Sequence, residues 1–221
     1  MEKKNENSNT IVNRNPVVAL IIAYNEAERI FQTIRNLLPH VAEVIVGDTG
    51  STDKTCEIAR KAGARVVGLE WNNNFAQARN ELMSATTREW CLFCDADEEF
   101  GDGFFELMHQ SLFDLDDIDA FYIWRISEFD EQVVGEEFQP RLLRREKCGW
   151  HGEVHEGITT KKYANIPKHI AVMYHRHTMN RQRWNNLMYK MQKDGQGRPP
   201  ENMGAEERDG KWVEFENERN G

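Results

Sequence analysis

The chain has 221 residues, 39% of them hydrophobic, which is enough for one domain with a buried core plus tails. No stretch approaches the roughly 18–20 consecutive apolar residues of a membrane-spanning helix, and Met1-Glu2-Lys3-Lys4-Asn5 lacks the apolar run of a signal peptide, so no transmembrane segment and a cytoplasmic location are expected. The formal net charge of -9 opposes a nucleic-acid partner, since phosphate backbones are gripped by clustered Lys and Arg.

Residues 1–14 are polar, Asn-rich and without periodicity, and read as a disordered arm. Val17–Ala23 is an apolar run of strand length, and Glu26–Leu38 then places Ile30, Ile34, Leu37 and Leu38 on one helical face. The unit repeats: strand Glu43–Gly47, helix Thr52–Lys61 stopped by Gly63, strand Ala64–Leu69, helix Phe75–Ser84, strand Trp90–Cys94. Apolar strands alternating with amphipathic helices predict an α/β fold with a mostly parallel sheet flanked by helices, whose ligands bind beyond the C-terminal strand ends. The second half reads as a smaller α+β part. Phe104–Leu112 suits a helix, Ala120–Ile126 a strand, and His169–Tyr174 a strand leading into a helix from about Arg181 to Lys193. The expected organisation is one domain over residues 15–194, divided near residue 100, followed by a polar tail or lid over 195–221. Trp212 and Phe215 in that tail would pack over the site or against a partner chain in a homo-oligomer.

Four cysteines are present: Cys56, Cys91, Cys94 and Cys148. Cys91 and Cys94 fall three apart on a strand and so face opposite ways, which predicts reduced core thiols rather than a shared metal or redox site.

Three strand ends carry acids: Tyr24-Asn25-Glu26, Asp48-Thr49-Gly50-Ser51-Thr52-Asp53, and Asp95-Ala96-Asp97-Glu98. Ser51, Thr52 and Asp53 suit a turn and helix cap, whereas Asp48, at the strand terminus, can accept hydrogen bonds from a nucleoside. Asp95 and Asp97, two apart, would project to one side of an extended chain and reach one hard cation, or a ribose and a cation together. An acidic, solvated loop is the competing reading, because Glu98, Glu99 and Asp102 follow.

These segments, with Phe75-Ala76-Gln77-Ala78-Arg79-Asn80, resemble the nucleotide-sugar half of family 2 glycosyltransferases of the GT-A fold, strongly over about 17–100 and more weakly over 140–191. The resemblance implies that Ala23, Tyr24 and Glu26 line the nucleoside pocket, that Asp48 reads the base, and that Arg79 approaches the base or diphosphate. It further implies that Asp95 binds the ribose, with Ala96 beside it, and that Asp97 holds the metal on the diphosphate. Arg141-Leu142-Leu143-Arg144 and Trp150-His151-Gly152-Glu153-Val154-His155-Glu156 are similar to an acceptor-side segment in a branch of that family.

Displacement at an anomeric carbon needs a group that takes the acceptor hydroxyl's proton. Glu156 is the first candidate and Glu153 its rival, on opposite faces of an extended segment, with His155 orienting the base or touching phosphate. His175 and His177 share a strand face; His175 matches the family's further metal ligand, and His177 reads as a surface or acceptor contact. An imidazole beside Asp97 would favour Mn²⁺ over Mg²⁺. Arg141 and Arg144 read either as contacts to diphosphate or an anionic acceptor, or as solvated edge charge.

The expected activity is inverting, metal-dependent transfer from a nucleotide diphosphate sugar, UDP preferred and GDP next, to an acceptor hydroxyl on a saccharide, a lipid-linked group or a small molecule. Two alternatives stay open. A nucleotidyltransferase would need a Gly-rich basic loop where Tyr24-Asn25-Glu26-Ala27-Glu28 stands, and a non-catalytic nucleotide-sugar binder would hold ligand without turnover.

Overall fold

The computed structural model describes residues 15–110, 112–153, 156–177, 203–208 and 211–216, with positions 114 and 177 and the last two stretches as backbone only. In chain order the first half runs β1 (Val17–Ala23), α1 (Ile30–Leu37), β2 (Glu43–Asp48), α2 (Thr55–Ala62), β3 (Arg65–Gly68), α3 (Phe75–Ser84) and β4 (Trp90–Phe93). The second half adds β5 (Glu98–Phe100), α4 (Asp102–Gln110), β6 (Ala120–Phe129), β7 (Gln132–Arg144), β8 (Trp150–His151), β9 (Gly157–Ile158), β10 (Tyr163–Asn165) and β11 (Val172–His177). A separate antiparallel hairpin, β12 (Met203–Arg208) with β13 (Lys211–Glu216), lies within the stretch read as a tail or lid. The N-terminal arm and the helix expected over 181–193 lie outside the described residues. No helix among the described residues is long and apolar enough to cross a membrane.

The main sheet is ordered β3-β2-β1-β4-β7-β6-β11-β5, with β10 also on β6. Pairing is parallel through β3-β2-β1-β4 and turns antiparallel where β7 meets β4 and β6. Alternation with period two sends Val17, Ala19 and Ile21 into one core layer with Leu92 and Cys94, and Val18 and Leu20 into the other with Cys91 and Phe93. Cys91 and Cys94 thus sit on opposite faces, and burial pushes the Cys91 thiol up to about 12. Cys56 departs from the core reading: it is half-buried on α2, and burial and the neighbouring Asp48 carboxylate raise its thiol.

Several boundaries differ from the periodicity, each for a hydrogen-bonding reason. α1 begins at Ile30 rather than Glu26; ahead of it the Arg29 N–H closes a turn onto the Glu26 carbonyl at 3.0 Å, and the Glu26 and Ala27 N–H groups donate to Thr55 (2.7 Å) and Asp53 (3.2 Å). α2 begins at Thr55 rather than Thr52, because Asp53 accepts from the Thr55 N–H at 2.8 Å, an Asx turn ahead of the helix. β11 starts at Val172 rather than His169, since the Ile170 and Ala171 N–H groups close a turn onto Pro167. β7 is far longer than the Arg141–Arg144 segment read from sequence; its first half carries Gly135, Glu136 and Glu137, and its Pro140 is tolerated beside a register shift at Phe121/Tyr122.

Candidate active site

The rim forms where β1, β2 and β4 end along one edge. Ala23 is level with Asp48 in the β1–β2 register, and the Cys94 N–H reaches the Leu20 carbonyl just beyond β4. The first two loops are laced together. Asn25, at φ 54°, accepts from the Thr52 N–H at 2.9 Å, and its own N–H donates to Ser51 Oγ at 3.0 Å. Asp48 accepts from the N–H groups of Gly50 (3.1 Å) and Ser51 (3.1 Å), a turn that needs the left-handed backbone of Gly50, φ 101°. Both bonds go to Oδ2, while Oδ1 takes a longer contact from the Ser51 N–H at 3.2 Å and keeps a lone pair for a ligand. Ala23 is buried and its carbonyl accepts from Thr49; Tyr24 and Glu26 are half-buried beside it.

Asp95 and Asp97 are not on an extended chain. The Glu98 N–H closes on the Asp95 carbonyl at 3.1 Å, and this turn sends the two carboxylates to different partners. Asp95 accepts from Arg79 Nη2 at 3.3 Å and Arg141 Nη2 at 3.3 Å, while its N–H donates to Glu98 at 2.9 Å. Burial by itself pushes the Asp95 carboxyl up, but the two guanidiniums outweigh it and hold it below the usual carboxylate range. Ala96 is buried and its carbonyl accepts from Thr33 Oγ1 at 2.7 Å, which pins the turn to α1.

Asp97 instead faces His175. Antiparallel pairing of β5 with β11 sets His175 opposite Glu98, and His175 Nε2 lies 3.5 Å from Asp97 Oδ2. Burial alone lowers the imidazole, yet the hydrogen bond and charge of Asp97, with Glu98 behind it, raise His175 above its ordinary value. Two donors each about 2.1 Å from one ion, roughly 90–110° apart, lie about 3.0–3.4 Å from one another. The spacing of 3.5 Å is just above that range, so a small side-chain rotation would bring the pair to shared coordination. Among the described residues no three His, Cys, Asp or Glu side chains form a ready cage, so water or ligand oxygens would complete the shell.

Arg141 corrects the sequence reading on both of its branches. It is only 3% exposed, and it donates to Asp95 and to Glu98, itself 2% exposed, so it is neither solvated nor open to an acceptor. Glu98 rules out the competing reading of a solvated acidic loop at its own position; its burial follows from the β5–β11 pairing, for which a three-residue strand leaves no periodic signal. Arg144 lies away from the rim, on Glu89 at 2.7 Å and over the Trp90 ring.

The loop from β8 to β9 meets the same cluster. Arg79 Nε donates to Glu156 at 3.1 Å, and the Arg79 guanidinium, 6% exposed, is stacked near Trp150 and Phe93. Glu153 keeps an exposed side chain; it joins the fold through its carbonyl, which accepts from the Phe75 N–H at 3.2 Å. His155 and the side chain of His177 lie outside the described residues. An open groove of about 570 Å³ runs off this loop between α3 and β8, lined by Gln77, Glu81 and His151 among others.

A parallel β3-β2-β1-β4 core with acids along its C-terminal edge, joined to a mixed half, is the GT-A glycosyltransferase architecture. The sequence profile described as glycosyl transferase family 2 matches residues 18–188, and the chain belongs to that family. A TPR repeat-containing protein of Synechococcus elongatus is 42% identical over 79 residues, 36% of this chain and 20% of its own length. The SPbeta prophage-derived glycosyltransferase SunS of Bacillus subtilis is 30% identical over 146 residues, 62% of this chain and 33% of its own length. The chain thus spans a third or less of either relative. A crystal structure of glucosyl-3-phosphoglycerate synthase from Mycobacterium tuberculosis, in complex with Mn²⁺, UDP and glucosyl-3-phosphoglycerate, has a TM-score of 0.53 and 16% identity, covering 92% of this chain and 88% of that one. At that identity the likeness speaks for the fold.

Proposed function

We propose that this chain is a metal-dependent, inverting glycosyltransferase that moves a sugar from a nucleotide diphosphate sugar, UDP-linked in preference to GDP-linked, to an acceptor hydroxyl. The observation that carries the reading is the half-buried Asp97–His175 pair, brought to 3.5 Å by the pairing of β5 with β11, beside Asp95 on the same rim. Asp97 and His175 would hold Mn²⁺, which supplies charge stabilisation to the departing diphosphate when bound. An imidazole partner favours Mn²⁺ over Mg²⁺.

Asp95, oriented by two guanidiniums, offers its remaining lone pairs to the ribose hydroxyls. Asp48 accepts from the base, with Ala23, Tyr24 and Glu26 forming the pocket wall. Glu156 takes the proton from the acceptor oxygen as that oxygen attacks the anomeric carbon. Its carboxylate is aimed by Arg79, whereas the Glu153 side chain stands in solvent, which favours Glu156 as the base. The test is a panel of UDP- and GDP-sugars with Mn²⁺, read as nucleoside diphosphate release with and without EDTA. Asp97→Ala should bring release down to the EDTA level with the fold retained; wild-type rate in that variant would remove Asp97 from the site.

A further inference from the structure

We infer that α3 is a clamp that couples the donor and acceptor sides of the rim, with Arg79 and Asn80 as positioning residues for the loop that carries Glu156. The inference rests on the reading above for the roles of Asp95 and Glu156.

β8 and β9 form a short ribbon in which Trp150 pairs with Ile158 and His151 with Gly157, extended by the Thr159 N–H donating to the Gly149 carbonyl at 2.9 Å, and a two-stranded ribbon of that size is marginal in water by itself. α3 supplies the missing support. The Asn80 side-chain amide takes both backbone groups of Trp150, donating to its carbonyl at 2.9 Å and accepting from its N–H at 2.9 Å, as a neighbouring strand would. One turn earlier along the helix, the Phe75 N–H holds the Glu153 carbonyl. Between these two ties, Arg79 reaches from the helix to Glu156 and to Asp95 with different nitrogens of one planar guanidinium.

A rigid fork shared by two carboxylates makes their positions interdependent. When a ligand draws Asp95 toward it, Arg79 must follow or release it, and either move changes the geometry presented to Glu156. Coupling of this kind is reciprocal, so an ordered loop also favours the ligand-competent Asp95. Trp150 and Phe93 flank the guanidinium and restrict it to that plane.

The test is hydrogen exchange of the loop over 149–158 in wild type, Asn80→Ala and Arg79→Met, each free and with UDP and Mn²⁺. In the ligand-free protein, Asn80→Ala should speed loop exchange by about tenfold, the loss of two hydrogen bonds of about 0.5–1.5 kcal/mol each, with β1, β2 and β4 unchanged. In wild type, UDP with Mn²⁺ should slow the loop. Arg79→Met, held at saturating UDP and Mn²⁺, should show no slowing. A merely structural role leaves that ligand response intact. Unchanged loop exchange in Asn80→Ala overturns the clamp. A UDP Kd weakened more than tenfold in Arg79→Met, with the loop response kept, also overturns it and makes Arg79 a direct diphosphate contact. Should Arg79→Met not fold, Asn80→Ala, which removes no charge, decides alone. If wild type binds neither UDP nor GDP with Mn²⁺, the proposed reaction fails, and the ligand-free exchange still decides the clamp.

Discussion

The two halves of the sheet hold themselves together differently. In β1, β2 and β4 nearly every residue is buried on one face or the other, and polar side chains appear at the strand ends. In β6 and β7 burial covers the stretch nearest β4 and then gives way: β7 is exposed from Gln132 to Glu137, with Val133 and Val134 both more than half exposed. A strand walled on both faces can offer chemistry only where it stops, so the parallel half confines its acids to one edge. The mixed half carries charge along its strands and reaches that edge through Arg141, Glu156 and His175.

If the parallel half binds the donor and the mixed half completes the reaction, Glu156→Gln should lower transfer by about 10²–10⁴-fold and leave UDP binding within error. Loss of UDP binding in that variant would give Glu156 a structural role and blur the division. Arg141→Met probes the seam. It leaves the buried Glu98 without a cation and Asp95 with Arg79 alone, and we expect a loss of about 3–5 kcal/mol in denaturant unfolding; a loss under about 1 kcal/mol would mean that water takes over the pairing. Within the scaffold, Ile45→Ala should cost about 2–5 kcal/mol and Val134→Ala within about 0.5 kcal/mol. Equal costs would show the exposed end of β7 to be packed in solution.

The smallest effect expected is in pH. His175 is raised above its ordinary value of 6.5 in the metal-free protein. A raised imidazole contributes stability that is fully present below about 6.5 and is lost as pH climbs through the folded value. A metal needs the neutral ring, so Mn²⁺ affinity should rise over the same interval. Metal-free Tm and Mn²⁺ affinity should therefore move in opposite directions above pH 6.5, and His175→Gln should flatten both. Parallel movement of the two would detach His175 from the ion.

Legibility followed the same division. Val17–Ala23 and Phe75–Ser84 match their predicted bounds to the residue, because an apolar run or a helical face repeats within a few positions and depends on little beyond itself. The first part of β7 escaped notice because its residues are exposed and charged, and its strand state comes from pairing with β6. A solvated alternative stayed open for Glu98 and Arg141 for a related reason: charge predicts exposure unless a partner is known, and here the partner lies 43 residues away.

By itself the sequence determined the alternation of strands and helices, their order in the parallel half, and that Asp48, Asp95 and Asp97 stand at strand ends, since these follow from local periodicity. Tertiary structure decided that a turn parts Asp95 from Asp97, that β5–β11 pairing brings His175 to the second of them, and that Arg79 joins Asp95 to Glu156, which is 77 residues further along. The turn is local but is pinned by Thr33 on α1, and the other two outcomes rest on contacts between distant segments, which form only after the sheet has closed and leave no trace in neighbouring residues.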